Sequence, residues 1–110
     1  MRIFLVDDEK AVLKLLECMV RDFGHKPESF NEPDRALSAI IARPPDLVVT
    51  DITMPGMDGY QLMSEVEKKG LKTPFLLMSG NTTSLRENTH ILSKPFDEDT
   101  FSLAIQQVAD

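Results

Sequence analysis

Short apolar runs alternate with longer amphipathic stretches along this chain, and each run stops at a polar residue. Arg2 to Val6 reads R-I-F-L-V and meets Asp7 and Asp8 at once. A run this short and continuously apolar predicts a strand buried on both faces, as in a parallel sheet. From Glu9 to Phe23 the residues Val12, Leu15, Leu16, Met19, Val20 and Phe23 recur at three- and four-residue spacing, which predicts an amphipathic helix ending near Gly24. Pro27 restricts residues 25–30 to a short edge strand. Asn31 stands where it would cap a second helix, with Pro33 in the first turn and Ala36, Leu37, Ile40 and Ile41 inward, and Pro44 and Pro45 end it.

Residues 46–59 read D-L-V-V-T-D-I-T-M-P-G-M-D-G. This is a third apolar run that stops at Asp51, followed by a turn punctuated by Pro55, Gly56 and Gly59. Asp58 caps a third helix with Leu62, Met63 and Val66 inward and Gly70 at its close, and Pro74 to Met78 forms a fourth strand before Ser79 and Gly80. Residues 81–89 are polar apart from Leu85, so any helix there is short and weakly anchored. His90 to Ser93 reads as a fifth strand leading to Lys94-Pro95-Phe96, and Glu98 to Val108 as a final helix with Phe101, Leu103, Ala104, Ile105 and Val108 as its apolar residues. Alternating strands and helices predict one α/β domain over residues 1–110, a doubly wound parallel sheet with helices on both faces. Asp7 and Asp8, Asp51, Ser79 and Lys94 then follow the first, third, fourth and fifth strands. All five meet at the carboxyl edge, where open α/β sheets bind ligands.

A formal charge of −6 argues against a nucleic-acid backbone as partner, since such domains present a basic face. No apolar stretch approaches the roughly 20 residues that span a bilayer. The expectation is therefore a cytoplasmic protein, or a cytoplasmic module of something longer, without a membrane or nucleic-acid partner. Asp97, Glu98 and Asp99 read as a solvated helix start. Cys18, the only cysteine, has no disulfide partner within the chain and reads as a small buried hydrophobe among Leu15, Leu16, Met19 and Val20.

Three carboxylates placed together repel, and they stay ionised at neutral pH only if a cation joins them. Oxygen ligands without histidine or thiol select a hard cation, with Mg²⁺ the best match. Lys94 adds a positive charge and Ser79 a hydroxyl donor. That set is suited to a phosphoryl group attacked in line by an Asp51 oxygen. Taken singly, each residue has a plainer reading: Asp7-Asp8 as a helix cap, Asp51 as a turn-forming side chain, Ser79 as a loop serine, Lys94 as a surface lysine.

Over its whole length the chain resembles a response-regulator receiver domain of two-component signalling. The resemblance rests on Ile3 to Glu9 (I-F-L-V-D-D-E), Asp51 with Met54-Pro55-Gly56-Met57-Asp58-Gly59, Ser79-Gly80, and Lys94-Pro95-Phe96. It implies a flavodoxin-like five-stranded sheet in order 2-1-3-4-5 and Asp51 as the phosphoacceptor, charged by a histidine kinase or histidine phosphotransfer protein. It further implies that Asp8, Asp51 and the backbone carbonyl of Thr53 bind Mg²⁺ directly and Asp7 through water. Ser79 would be the hydroxyl switch residue, Lys94 the phosphate partner, and the bond before Pro95 cis. Such a domain is a signalling switch rather than an enzyme. Its downstream target is not identified by the residues, and a weak homodimer is left open.

Two positions depart from the family pattern. Ile91 stands where the family usually has an aromatic residue, and Ser79 to Lys94 spans 94 − 79 = 15 positions, short by roughly one to two helical turns. The fourth helix is expected to be shortened or missing, with residues 80–90 forming a short helix or a mobile loop that either alters the output surface or simply replaces the helix and leaves output unchanged. Two other readings compete: a receiver-like interaction module that is not phosphorylated, and an aspartyl-phosphate phosphohydrolase. The second would need an aspartate two positions after Asp51 as general acid, where the chain has Thr53. A flavin-binding module of similar fold would need a hydroxyl- and glycine-rich loop after the first strand, where the chain has Asp7-Asp8-Glu9. Thr53 and Asn81 are expected to flank the path of a hydrolytic water.

Overall fold

In the computed structural model, which describes residues 1–80 and 90–109, five parallel strands form one sheet. The elements in chain order are β1 (Arg2–Val6), α1 (Lys10–Asp22), β2 (Lys26–Phe30), α2 (Pro33–Ala42), β3 (Leu47–Asp51), α3 (Gly59–Lys68), β4 (Phe75–Ser79), β5 (His90–Ser93) and α4 (Glu98–Ala109). The strand order is β2-β1-β3-β4-β5, as the resemblance implied. The expectation of a shortened or missing helix between β4 and β5 falls on residues 81–89, outside the described residues, and so does the role expected of Asn81.

Side chains alternate across the sheet with the period of two that a strand imposes. Ile3, Leu5, Leu47, Val49, Leu76, Met78 and Leu92 face α1 and α4. Phe4, Val6, Val48, Phe75 and Leu77 face α2 and α3. Two apolar layers thus clamp the sheet, and β3 at its centre has Leu47, Val48, Val49 and Thr50 all at 0% exposure. Each apolar side chain among these contributes on the order of 1.5–3 kcal/mol when removed from water. Pro27 lies in β2, an edge strand, where a missing backbone donor is tolerated.

Several helix details differ from the sequence reading. The buried face of α1 is Leu13, Leu16, Met19 and Val20, while Leu15 is 58% exposed. Cys18 is exposed rather than buried. At about 100° per residue, Cys18 lies two residues past Leu16 and so on the far side of the helix. Leu15 instead forms a wall of an apolar cleft with Val12, Pro95 and Phe96, next to Lys94. The cap of α2 is Glu32, not Asn31, and it makes no side-chain bond; the fixed φ of Pro33 starts this helix unaided. Ile41 and Leu103 are also exposed. Asp58 caps α3 as expected, in a reciprocal capping box with Gln61, and Gly70 follows the helix at positive φ.

Candidate functional site

The register of the sheet assembles the rim. Val6 pairs with Thr50 and Asp51 with Met78, so the residues just beyond, Asp7, Asp51 and Ser79, come level at the carboxyl edge. Ser79 pairs with Ser93, and the Lys94 backbone N–H donates to the Ser79 carbonyl at 2.8 Å, which brings the lysine over the same edge. The Lys94–Pro95 peptide bond is cis, as expected.

The side chains converge from there. One carboxylate oxygen from each of Asp7, Asp8 and Asp51 lies within 4.8 Å of the others. Lys94 Nζ donates to Asp51 Oδ2 at 3.0 Å and lies 3.7 Å from Asp7 Oδ2. Thr53 N–H donates to Asp51 Oδ1 at 3.2 Å, so Asp51 also makes the local turn contact of the plainer reading. Glu9, not Asp7 or Asp8, is the cap residue of α1, and it makes no side-chain bond there. Neither aspartate is therefore used to cap that helix.

Electrostatics sort the acids. Asp7 is 1% exposed, its Oδ1 accepts from Glu9 N–H at 2.9 Å, and its Oδ2 is buried with no hydrogen-bond donor among the described residues. Burial pushes the Asp7 carboxyl above its ordinary pKa; the Glu9 N–H and Lys94 oppose this, while the charges of Asp51 and Asp8 add to it. For Lys94, burial lowers the pKa, but its hydrogen bond to Asp51 and the charges of Asp51, Asp7 and Glu9 outweigh burial and raise it overall. Among the described residues, three carboxylates against one ammonium leave two charges uncompensated, and one buried carboxylate oxygen, Asp7 Oδ2, has no hydrogen-bond donor. An all-oxygen set of this kind fits a hard divalent cation.

The residues that the sequence singled out, Asp7, Asp8, Asp51, Ser79 and Lys94, thus share one rim. Two further residues were not singled out. Thr50, at 0% exposure, donates its hydroxyl to the Asp51 carbonyl at 3.0 Å; a hydroxyl ending the apolar run L-V-V was the available signal. Gly59 packs against the Asp51 main chain. The sequence places it in the turn and in the motif that carries the resemblance, with no role of its own.

The family model for the response regulator receiver domain matches residues 3–106. The chain belongs to the response regulator receiver family. Among curated relatives, the DNA-binding transcriptional regulator NtrC of Salmonella typhimurium is 27% identical over 88% of this chain, which spans 22% of NtrC. The chain therefore spans only part of such relatives. Among solved structures, the receiver domain of the hybrid histidine kinase CckA is 27% identical, with a TM-score of 0.86 and complete coverage of both chains. The receiver domain of the sensor histidine kinase PA1611 from Pseudomonas aeruginosa PAO1 has a TM-score of 0.88 at 20% identity, covering 98% of this chain and 96% of its own. Receiver domains are the phosphoacceptors of two-component signalling and take their phosphoryl groups from histidine kinases. Neither the interaction-module reading nor the phosphohydrolase reading is favoured for this receiver domain. Among the described residues no helix is long and apolar enough to cross a membrane.

Proposed function

We propose that Asp51 is the phosphoacceptor of this receiver domain and that it reacts with a phosphohistidine of a kinase or phosphotransfer protein in the presence of Mg²⁺. The observation that carries this reading is the convergence of Asp7, Asp8 and Asp51 within 4.8 Å, with Lys94 bonded to Asp51. Asp8, Asp51 and the Thr53 carbonyl would hold the ion directly, and Asp7 would reach it through water. The PA1611 receiver domain, of the same fold, is described with a magnesium ion coordinated in its active-site cleft. When bound, Mg²⁺ supplies positive charge against the oxygens of the transferring phosphoryl group.

The chain's own residues carry the other roles. An Asp51 carboxylate oxygen attacks phosphorus, the bond from phosphorus to the donor imidazole nitrogen breaks, and the electron pair leaves on that nitrogen. Lys94 exchanges its contact with the Asp51 carboxylate for one with the phosphoryl oxygens. The Ser79 hydroxyl, at the end of the neighbouring strand, donates to a second phosphoryl oxygen. Thr53 offers no carboxyl to protonate a leaving group, which favours a persistent acyl phosphate over turnover.

Incubation with acetyl phosphate and Mg²⁺, followed by intact-mass measurement, tests the assignment. The parent chain gains one phosphoryl group, and Asp51→Asn gains none. An unmodified parent, or equal labelling of the variant, overturns it.

A further inference from the structure

The first residue of α3 lies closer to the main chain of Asp51 than any side chain would allow. A β-carbon on Gly59 would stand 2.7 Å from the Asp51 carbonyl oxygen, 3.0 Å from the Ile52 Cα and 3.3 Å from the Asp51 carbonyl carbon. All three are backbone atoms, so no rotamer change relieves the contact. Gly59 is not among the glycines at positive φ. Space, not backbone conformation, is what excludes a side chain here.

Three elements meet at this point, and they differ in how firmly they are held. The end of β3 is fixed by the sheet: Asp51 pairs with Met78, Ile52 N–H donates to the Met78 carbonyl at 3.0 Å, and the Asp51 carbonyl accepts the Thr50 hydroxyl at 3.0 Å. The start of α3 is fixed by the capping box and by the burial of Tyr60, Leu62 and Val66. Between them, the loop has Thr53, Pro55 and Gly56 exposed and only Met54 buried, with a hydrogen bond from Gly59 N–H to the Ile52 carbonyl at 2.8 Å. The loop is therefore the part that yields to an added atom. It carries the Thr53 N–H bonded to Asp51 Oδ1 and the Thr53 carbonyl.

We propose that Gly59 is a positioning residue for the phosphoacceptor: by letting α3 abut the Asp51 main chain, it sets where the Asp51 carboxylate and the Thr53 carbonyl stand relative to Asp7, Asp8 and Lys94. This rests on the reading of Asp51 as the phosphoacceptor. A side chain at position 59 displaces the loop and misaligns the site while the core stays packed.

The test compares Gly59→Ala with Asp58→Ala, which removes the capping box but adds no atom beside Asp51. For each folded protein, Mg²⁺ affinity is measured by calorimetry and the acetyl phosphate reaction by intact mass, alongside the thermal midpoint. Gly59→Ala is expected to weaken Mg²⁺ binding and to slow phosphorylation by about tenfold or more, the scale of an ångström-level misplacement. Asp58→Ala is expected to lower the midpoint and to leave affinity and rate within about twofold of the parent, a range well inside the same scale. Equal losses in both variants, or an unaffected Gly59→Ala, would overturn the proposal. So would a Gly59→Ala chain that stays unfolded in the cold with excess Mg²⁺, since the loop would then not be the yielding part. A parent that neither binds Mg²⁺ nor becomes phosphorylated refutes the phosphoacceptor reading instead.

Discussion

Asp7 shows what the site costs a single residue. It is buried, one of its oxygens lacks a donor, and two like charges lie beside it. An unsatisfied buried donor or acceptor costs on the order of 1–3 kcal/mol, and more when it is charged; Lys94 at 3.7 Å offsets part of that. Asp7→Asn keeps an oxygen to accept the Glu9 N–H and removes the charge. Without metal, the variant should gain about 1 kcal/mol of stability, the low end of that range, read as a midpoint rise of about 4 to 6 °C. Its Mg²⁺ affinity should fall at the same time. A variant less stable than its parent in metal-free buffer would show that Lys94 already satisfies Asp7.

At the scale of elements, the strand ends were legible in the sequence because chemistry and pattern coincide there. Each apolar run stops where the backbone leaves the sheet, and Asp7, Asp51, Ser79 and Lys94 are the residues that stop them. Helix phase was less legible. In α1 the residues Val12, Leu13, Leu15 and Leu16 are all apolar, so spacing alone fits more than one face. Docking on the sheet selects Leu13 and Leu16 and leaves Leu15 and Cys18 outside. Gly59 stands in the motif that carries the resemblance, yet the reason for a glycine there was not legible, because it depends on how near another backbone comes.

The start of α4 gives a pH test at the same scale. Asp97 Oδ1 accepts the Thr100 N–H at 2.8 Å, and that bond, with a further contact to the Thr100 side chain, holds its carboxyl below the ordinary range. A carboxyl whose pKa is lower when folded contributes stability that is fully present above its unfolded pKa and is lost as pH falls through its folded pKa. Acid titration of the thermal midpoint should therefore show a smaller decline in Asp97→Asn than in the parent. Identical profiles would remove Asp97 from the acid response.

For the whole molecule, the order β2-β1-β3-β4-β5 places Asp51, the proposed phosphoacceptor, on the strand with two neighbours on either side. The strand that carries Asp51 is thus the deepest part of the fold, while the Asp51 carboxylate stands on the rim. Opposite properties meet within a few residues of one chain: Leu47 to Thr50 are fully buried, and Thr53, Pro55 and Gly56 are exposed.

That juxtaposition has a consequence in time. Amide hydrogens of Val48 and Val49, bonded within the central ladder, can exchange with solvent only when the whole domain opens, whereas those of Thr53 and Gly56 need only a local excursion. The steepest change in exchange rate along the chain should fall between Thr50 and Thr53, with Asp51 at the step. Uniform protection from Val48 through Gly56 would contradict this. A side chain at such a boundary has a slow side that keeps its place and a fast side that can yield.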